Sequence, residues 1–122
     1  MIASAELKAN SASTVVLINN NGMGSAEEPL RHKLLGIYLT MLQENGFYPG
    51  AICFYAEGVK MVVEGSPVLN MLQTLEAKGV RLIICSTCLQ YLGLSDKVRV
   101  GIVGGMNDIV LAQWMASKVI TL

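Results

Sequence analysis

Five short runs of aliphatic and β-branched residues, separated by segments with helical spacing, constrain this chain more than any other feature. They are TVVLI (Thr14–Ile18), AICFY (residues 51–55), VRLII (residues 80–84), VRVGIV (residues 98–103) and KVITL (residues 118–122). The runs are continuous rather than alternating, so they read as strands covered on both faces. Strands that alternate with helices imply right-handed crossovers and a parallel sheet. The predicted class is α/β, a three-layer α/β/α sandwich on a five-stranded parallel sheet. In such a sheet chemistry gathers at the carboxyl ends of the strands. The loops at residues 19–25, 56–58, 85–87 and 104–108 meet there.

The clearest helix spans residues 27–44. Leu30, Leu34, Tyr38, Met41 and Leu42 form its expected inner stripe, with Lys33, Gly36, Thr40 and Gln43 on the other face. Asn45-Gly46 ends it. A second helix is expected from Ser66 as N-cap and Pro67 at the first helical position to Gly79, with Leu69, Leu72 and Leu75 inside. A third follows Met106, with Asn107 or Asp108 at its start. It is apolar nearly all round, through Ile109, Val110, Leu111, Ala112, Trp114 and Met115. Such a helix is covered twice, by the sheet and by a neighbouring subunit. Residues 58–64 read equally as an edge strand or a helical turn.

At 122 residues the chain suits a single domain, residues 13–122, behind a polar, mobile lead-in over residues 1–12. Nine basic residues cancel nine acidic ones and none cluster, which argues against nucleic acid or an anionic membrane as partner. Hydrophobic residues make up 52% of the chain and charged residues 15%, more apolar material than one small core needs. A homo-oligomer is therefore expected. No apolar run is long enough to cross a bilayer. The opening MIASAELKANSAST does not read as a secretory signal, and three cysteines without scaffold spacing suit a reducing compartment. The expected location is the cytoplasm.

The motif ICSTCLQYLG puts Cys85 and Cys88 three residues apart where the third strand ends. At a helix N-terminus, unpaired backbone N–H groups favour thiolate over thiol, and Cys-x-x-Cys spacing lets the two sulfurs approach. Cys85 would be the exposed nucleophile and Cys88 the less accessible partner. Three readings stand: two small apolar core residues, half of a metal site, or a thiol pair for disulfide exchange or persulfide carriage. A structural zinc needs four ligands, and only Cys53 and His32 could join the pair, unless an oligomer unites half-sites. No resident metal and no cofactor is expected. A thioredoxin-type enzyme is a poor match, because its motif follows the first strand of its core and this one follows the third.

VRLIICSTCLQYLGL followed by DKVRVGIVGGMNDIV resembles the DsrE/DsrF-like sulfurtransferase family, most nearly the C-terminal domain of YedF-type selenium-metabolism proteins. GMGSAEEPLRHKLL and FYAEGVKMVVEGSPVLNMLQTLEAKGV add to the likeness, which runs from Thr14 to the C-terminus. The resemblance implies a three-layer α/β domain assembled into trimers or hexamers. It implies a cysteine that accepts sulfur as persulfide and passes it between donor and acceptor proteins, at the position of Cys85. Cys88 belongs to the narrower Cys-x-x-Cys subgroup. Gly105 stands where the resemblance leads us to expect asparagine.

Around the pair, Asn19, Asn20, Glu57, Ser86, Thr87, Gly105, Met106 and Asn107 are the expected pocket lining. NNNGMGS lacks the third glycine of a dinucleotide fingerprint and the Lys-Ser/Thr of a P-loop, so its glycines serve the turn. His32, four residues after Glu28, is expected to pair with it on the helix surface. Cys53 reads as inert core, and Trp114 as an anchor for the last helix or an interface.

Overall fold

The computed structural model describes residues 5–122. All five expected strands form: β1 (Thr14–Ile18), β2 (Ala51–Phe54), β3 (Arg81–Cys85), β4 (Ile102–Gly104) and β5 (Lys118–Thr121). They make one sheet in the order β4-β3-β2-β1-β5, and every pair is parallel. Strands β1, β2 and most of β3 are buried throughout, as their unbroken apolar runs require.

The helices are α1 (Ala5–Asn10), α2 (Glu28–Asn45), α3 (Leu69–Ala77), α4 (Ser86–Tyr91) and α5 (Met106–Met115), with a 3₁₀ segment at Ala56–Val62. From β1 to β4 each strand is laid down beside the last in one direction. Right-handed crossovers then put α2, α3 and α4 on one face. There Leu35, Leu39, Leu72, Leu75 and Leu89 pack on Val16, Ile18, Ile52, Phe54, Leu82 and Ile84. The step from β4 to β5 runs back across the sheet, and the same handedness sends α5 to the opposite face. Ile109 and Ala112 cover Val15, Leu17, Ala51, Cys53, Ile83 and Cys85 there.

The inner stripe of α2 differs from the expected one. Leu35, Leu39 and Leu42 are buried and Tyr38 is half-buried, while Leu30, Leu34 and Met41 are exposed. Helical spacing fits both Leu30-Leu34-Ile37-Met41 and Leu35-Leu39-Leu42, so periodicity alone had two solutions. The loop before α2 helps to orient the helix. Arg31 is tied to the carbonyls of Asn21 and Ala26, and its own carbonyl accepts the Met23 N–H at 3.0 Å. Gly22 lies flat against Arg31, where a Cβ would sit 2.6 Å from its backbone.

The second helix starts later than expected, at Leu69. Ser66 Oγ accepts the Val68 N–H at 3.2 Å, so the Ser-Pro pair shapes a turn ahead of α3. Gly79, at φ +96°, stops it as expected. Strand β4 is shorter than the run suggested. Residues 97–99 pair instead with residues 62–64, through an antiparallel bridge from Val98 to Val63 and the Arg99 N–H to the Val62 carbonyl. Gly101, at φ +86°, then turns the chain into β4. The ambiguous stretch is thus a 3₁₀ segment that runs into a bridge.

At the start of α5, Asp108 accepts the Gly105 N–H at 2.8 Å. Its far side carries Val110 and Leu111, with Trp114 84% and Met115 83% exposed. Of the lead-in, residues 1–4 lie outside the described residues. Below α1, Ser11 Oγ accepts the Tyr48 N–H at 3.2 Å and joins that segment to the domain. Among the described residues no helix is long and apolar enough to cross a membrane.

Candidate functional site

Strand β3 and helix α4 share a junction, because α4 begins at Ser86, the residue after the strand ends. Strand alternation sends Ile84 to the face of α2 and α3, and Cys85 to the face of α5. Cys85 is therefore 0% exposed, beneath the layer of Ile109 and Ala112. Cys88, one turn into α4, is only partly buried and touches both apolar layers. This reverses the expected exposure: Cys88 is the more accessible cysteine, and Cys85 is fully buried. The reason is the abrupt strand-to-helix junction, which leaves no loop to lift Cys85 out of the sheet.

The backbone amide that meets a cysteine is also not the expected one. Cys88 Sγ accepts the Ala56 N–H at 3.1 Å, from the turn after β2. Ala56 has φ +50°, a left-handed conformation that costs a non-glycine residue about 1–2 kcal/mol. Two residues on, Gly58 packs so closely on the Ile18 carbonyl that a Cβ there would overlap it. The Gly58 N–H also bonds to the Tyr55 carbonyl at 2.9 Å, closing the turn. This turn holds the Ala56 amide against Cys88.

The pair sits at a topological switch point of the sheet. After β3 the chain goes to the face of α2 and α3, and after the adjacent β4 it goes to the face of α5. Neighbouring parallel strands whose connections part in this way leave a gap at their carboxyl ends. Cys85 and Gly104 are register partners at that end of β3 and β4.

Burial is the largest cause that raises the Cys88 pKa above the ordinary thiol value. The Ala56 N–H opposes it, while the hydrogen bond to Cys85 and the charge of Cys85 raise it further. Cys88 packs against the layer that holds Cys85, so a negative charge at Cys85 disfavours one at Cys88. Cys53 is buried in mid-strand and its pKa is pushed up to about 11, mainly by burial, with Arg81 pulling the other way. It is inert core, as expected.

The expected lining residues are placed as follows. Asn19 donates to Tyr55 Oη at 3.3 Å, and Tyr55 packs against the layer that holds the two cysteines. The Asn20 side chain is used within its own loop, on the Gly24 carbonyl and the Asn21 N–H. Glu57 is exposed and pairs with Lys60 at 2.8 Å, so it does not face the cysteines as a free acid or base. Ser86 is half-buried and Thr87 exposed in the first turn of α4. Gly105, its amide held by Asp108, continues from Gly104 at the end of β4. Met106 and Asn107 are exposed at the start of α5.

His32 differs from expectation too. Its Nε2 lies 2.8 Å from Asn21 Oδ1, and Asn21 Nδ2 donates to Glu28 at 3.1 Å, so Asn21 bridges the expected pair. Among the described residues no three His, Cys, Asp or Glu side chains come together as metal ligands. A cavity of about 280 Å³ lies between α1, α2 and the starts of β1 and β5, lined by Leu7, Tyr38, Phe47 and Lys118 among others. That is the opposite end of the sheet from the cysteines. Nothing in the sequence announced it or the left-handed Ala56, since alanine carries no turn signature.

The family model described as DsrE/DsrF-like matches residues 12–122. Two solved structures share the fold. The crystal structure of the ychN protein from E. coli superposes with a TM-score of 0.65 at 17% identity, over 89% of this chain and 98% of that one. MTH1491, a protein of unknown function from Methanobacterium thermoautotrophicum, gives 0.64 at 23% identity, over 89% of this chain and 97% of that one. No curated protein matches the chain by sequence.

Proposed function

The chain belongs to the DsrE/DsrF-like family, and from that premise we propose that it carries sulfur as a persulfide on the Cys85–Cys88 pair, between a donor and an acceptor protein. The observation that carries this reading is the pair itself. Two free thiols lie one helical turn apart at the carboxyl end of a parallel sheet, one of them partly exposed and accepting the Ala56 N–H. A thiolate that is reachable and held by an amide can attack sulfane sulfur. A reducing compartment, the cytoplasm, suits a site that works through free thiols.

The carrier acts as a homo-oligomer, a trimer or hexamer, which would cover the exposed Val110, Leu111, Trp114 and Met115 of α5. A scattered surface tryptophan needs no explanation, but four large apolar side chains on one short helix do. Incubation with a persulfide donor, followed by intact-mass analysis without reductant, tests the function. In a short pulse, before a disulfide can close, one added sulfur atom per chain is expected on the peptide that spans Cys85 and Cys88. A chain whose mass never changes would contradict the reading.

A further inference from the structure

We infer that Cys88 is the thiol that receives the sulfur, and that Cys85 is a buried resolving thiol that limits the life of the Cys88 persulfide. The inference rests on the sulfur-carrier reading and assigns roles within it. Cys85 is 0% exposed in the layer with Ile109 and Ala112 of α5, while Cys88 is only partly buried and packs against that layer, so a donor meets Cys88 at the surface and finds Cys85 closed. Cys88 is partly exposed, and its Sγ has the Ala56 N–H 3.1 Å away. A left-handed alanine at that point, φ +50°, is strain retained at the one amide that meets the sulfur.

In the loading step the Cys88 thiolate attacks the terminal sulfur of a small persulfide. A Cys88–S–S bond forms, the donor S–S bond breaks, and the donor leaves as thiolate with the bonding pair. Resolution follows from the packing of Cys88 against the layer that holds Cys85, one helical turn away. Cys85 attacks the inner sulfur, Cys88 Sγ, and the sulfane sulfur leaves as sulfide, taking the Cys85 proton. The two cysteine sulfurs are oxidised to a disulfide while the sulfane sulfur is reduced to hydrogen sulfide, so no outside oxidant is consumed. A dithiol reductant then restores both thiols. Attack on the outer sulfur would instead place an additional sulfur atom on fully buried Cys85, in a layer with no exposed surface to receive it. An acceptor thiol must therefore arrive before Cys85 closes the disulfide.

Cysteine persulfide is the probe. Wild type, Cys88→Ser, Cys85→Ser and Cys85→Ala are each pulsed with it, trapped with iodoacetamide and mapped by peptide mass spectrometry. Alanine is included because a serine hydroxyl at a fully buried position can unfold the layer. Protection of buried Cys53 reports in every chain that the core is intact. Both Cys85 variants are expected to accumulate persulfide on Cys88 without forming a disulfide. Wild type is expected to pass on to the Cys85–Cys88 disulfide with about one sulfide released per chain, as the balanced step requires. Loading of Cys88→Ser is expected to fall roughly tenfold or more. Persulfide on Cys85 in Cys88→Ser at the wild-type rate would overturn the assignment and leave the carrier reading standing. No added sulfur on any chain would overturn both.

Discussion

Gly58→Ala is expected to be the most destabilising single-methyl change at the candidate site, with a loss of about 3 kcal/mol or more. The new Cβ would overlap the Ile18 carbonyl at the end of β1, and that atom cannot swing aside as a side-chain tip could. At roughly 3–5 °C per kcal/mol for a domain of this size, the midpoint of thermal unfolding should fall by about 10 °C or more. Gly65→Ala is the matched comparison. Gly65, unlike Gly58, has positive φ, at +90°, but nothing lies within 4 Å of its Cβ position. It should lose only about 1 kcal/mol, from backbone strain alone. Equal losses from both would show that the 58–18 contact contributes nothing. Gly58→Ala should also loosen the Ala56 amide from Cys88, because the two lie in one turn.

Leu39→Ala is expected to cost about 3 kcal/mol, within the range for a fully buried leucine, while Leu34→Ala should cost less than about 1 kcal/mol. Both sit on α2 and both changes keep the helix propensity high. The difference comes from packing: Leu39 is 0% exposed between α2 and the sheet, and Leu34 is 38% exposed. Urea denaturation of the two variants measures it, and the reverse order would contradict the register assigned to α2.

That comparison also marks where sequence reasoning stopped. The five strands were legible because a parallel sheet covered on both faces demands unbroken aliphatic runs, and few other structures do. Glycine set element ends well at Gly46 and Gly79, where a positive φ was needed, whereas Ser66-Pro67 shaped a turn ahead of α3. The inner face of α2 was not legible, since two apolar stripes had equal claim. The start of β4 was missed because Val98 and Val100 read as a strand, although Val98 bridges to Val63 and Val100 turns into the core.

At the site, the spacing of Cys85 and Cys88 and their place at the sheet's carboxyl edge could be read directly. Their relative exposure could not. It depends on which face β3 turns its last residue to, and on α4 starting with no intervening loop. The Ala56 amide comes from the turn after β2, more than thirty residues before Cys88 in the chain. No local motif brings those two together. The apolar character of α5 was plain from its sequence, and its exposed far side is where that surplus lies.

Cys88 is reachable at the carboxyl edge of the sheet while Cys85 is fully buried. Pulse alkylation of the native protein over a range of pH, with each cysteine quantified by mass spectrometry, tests this directly. Cys88 should label first, with a midpoint above that of an ordinary thiol because burial and Cys85 raise its pKa, and Cys85 and Cys53 should label only on unfolding. Labelling of Cys85 as fast as Cys88 in the folded chain, or uniform slow labelling of all three, would contradict it.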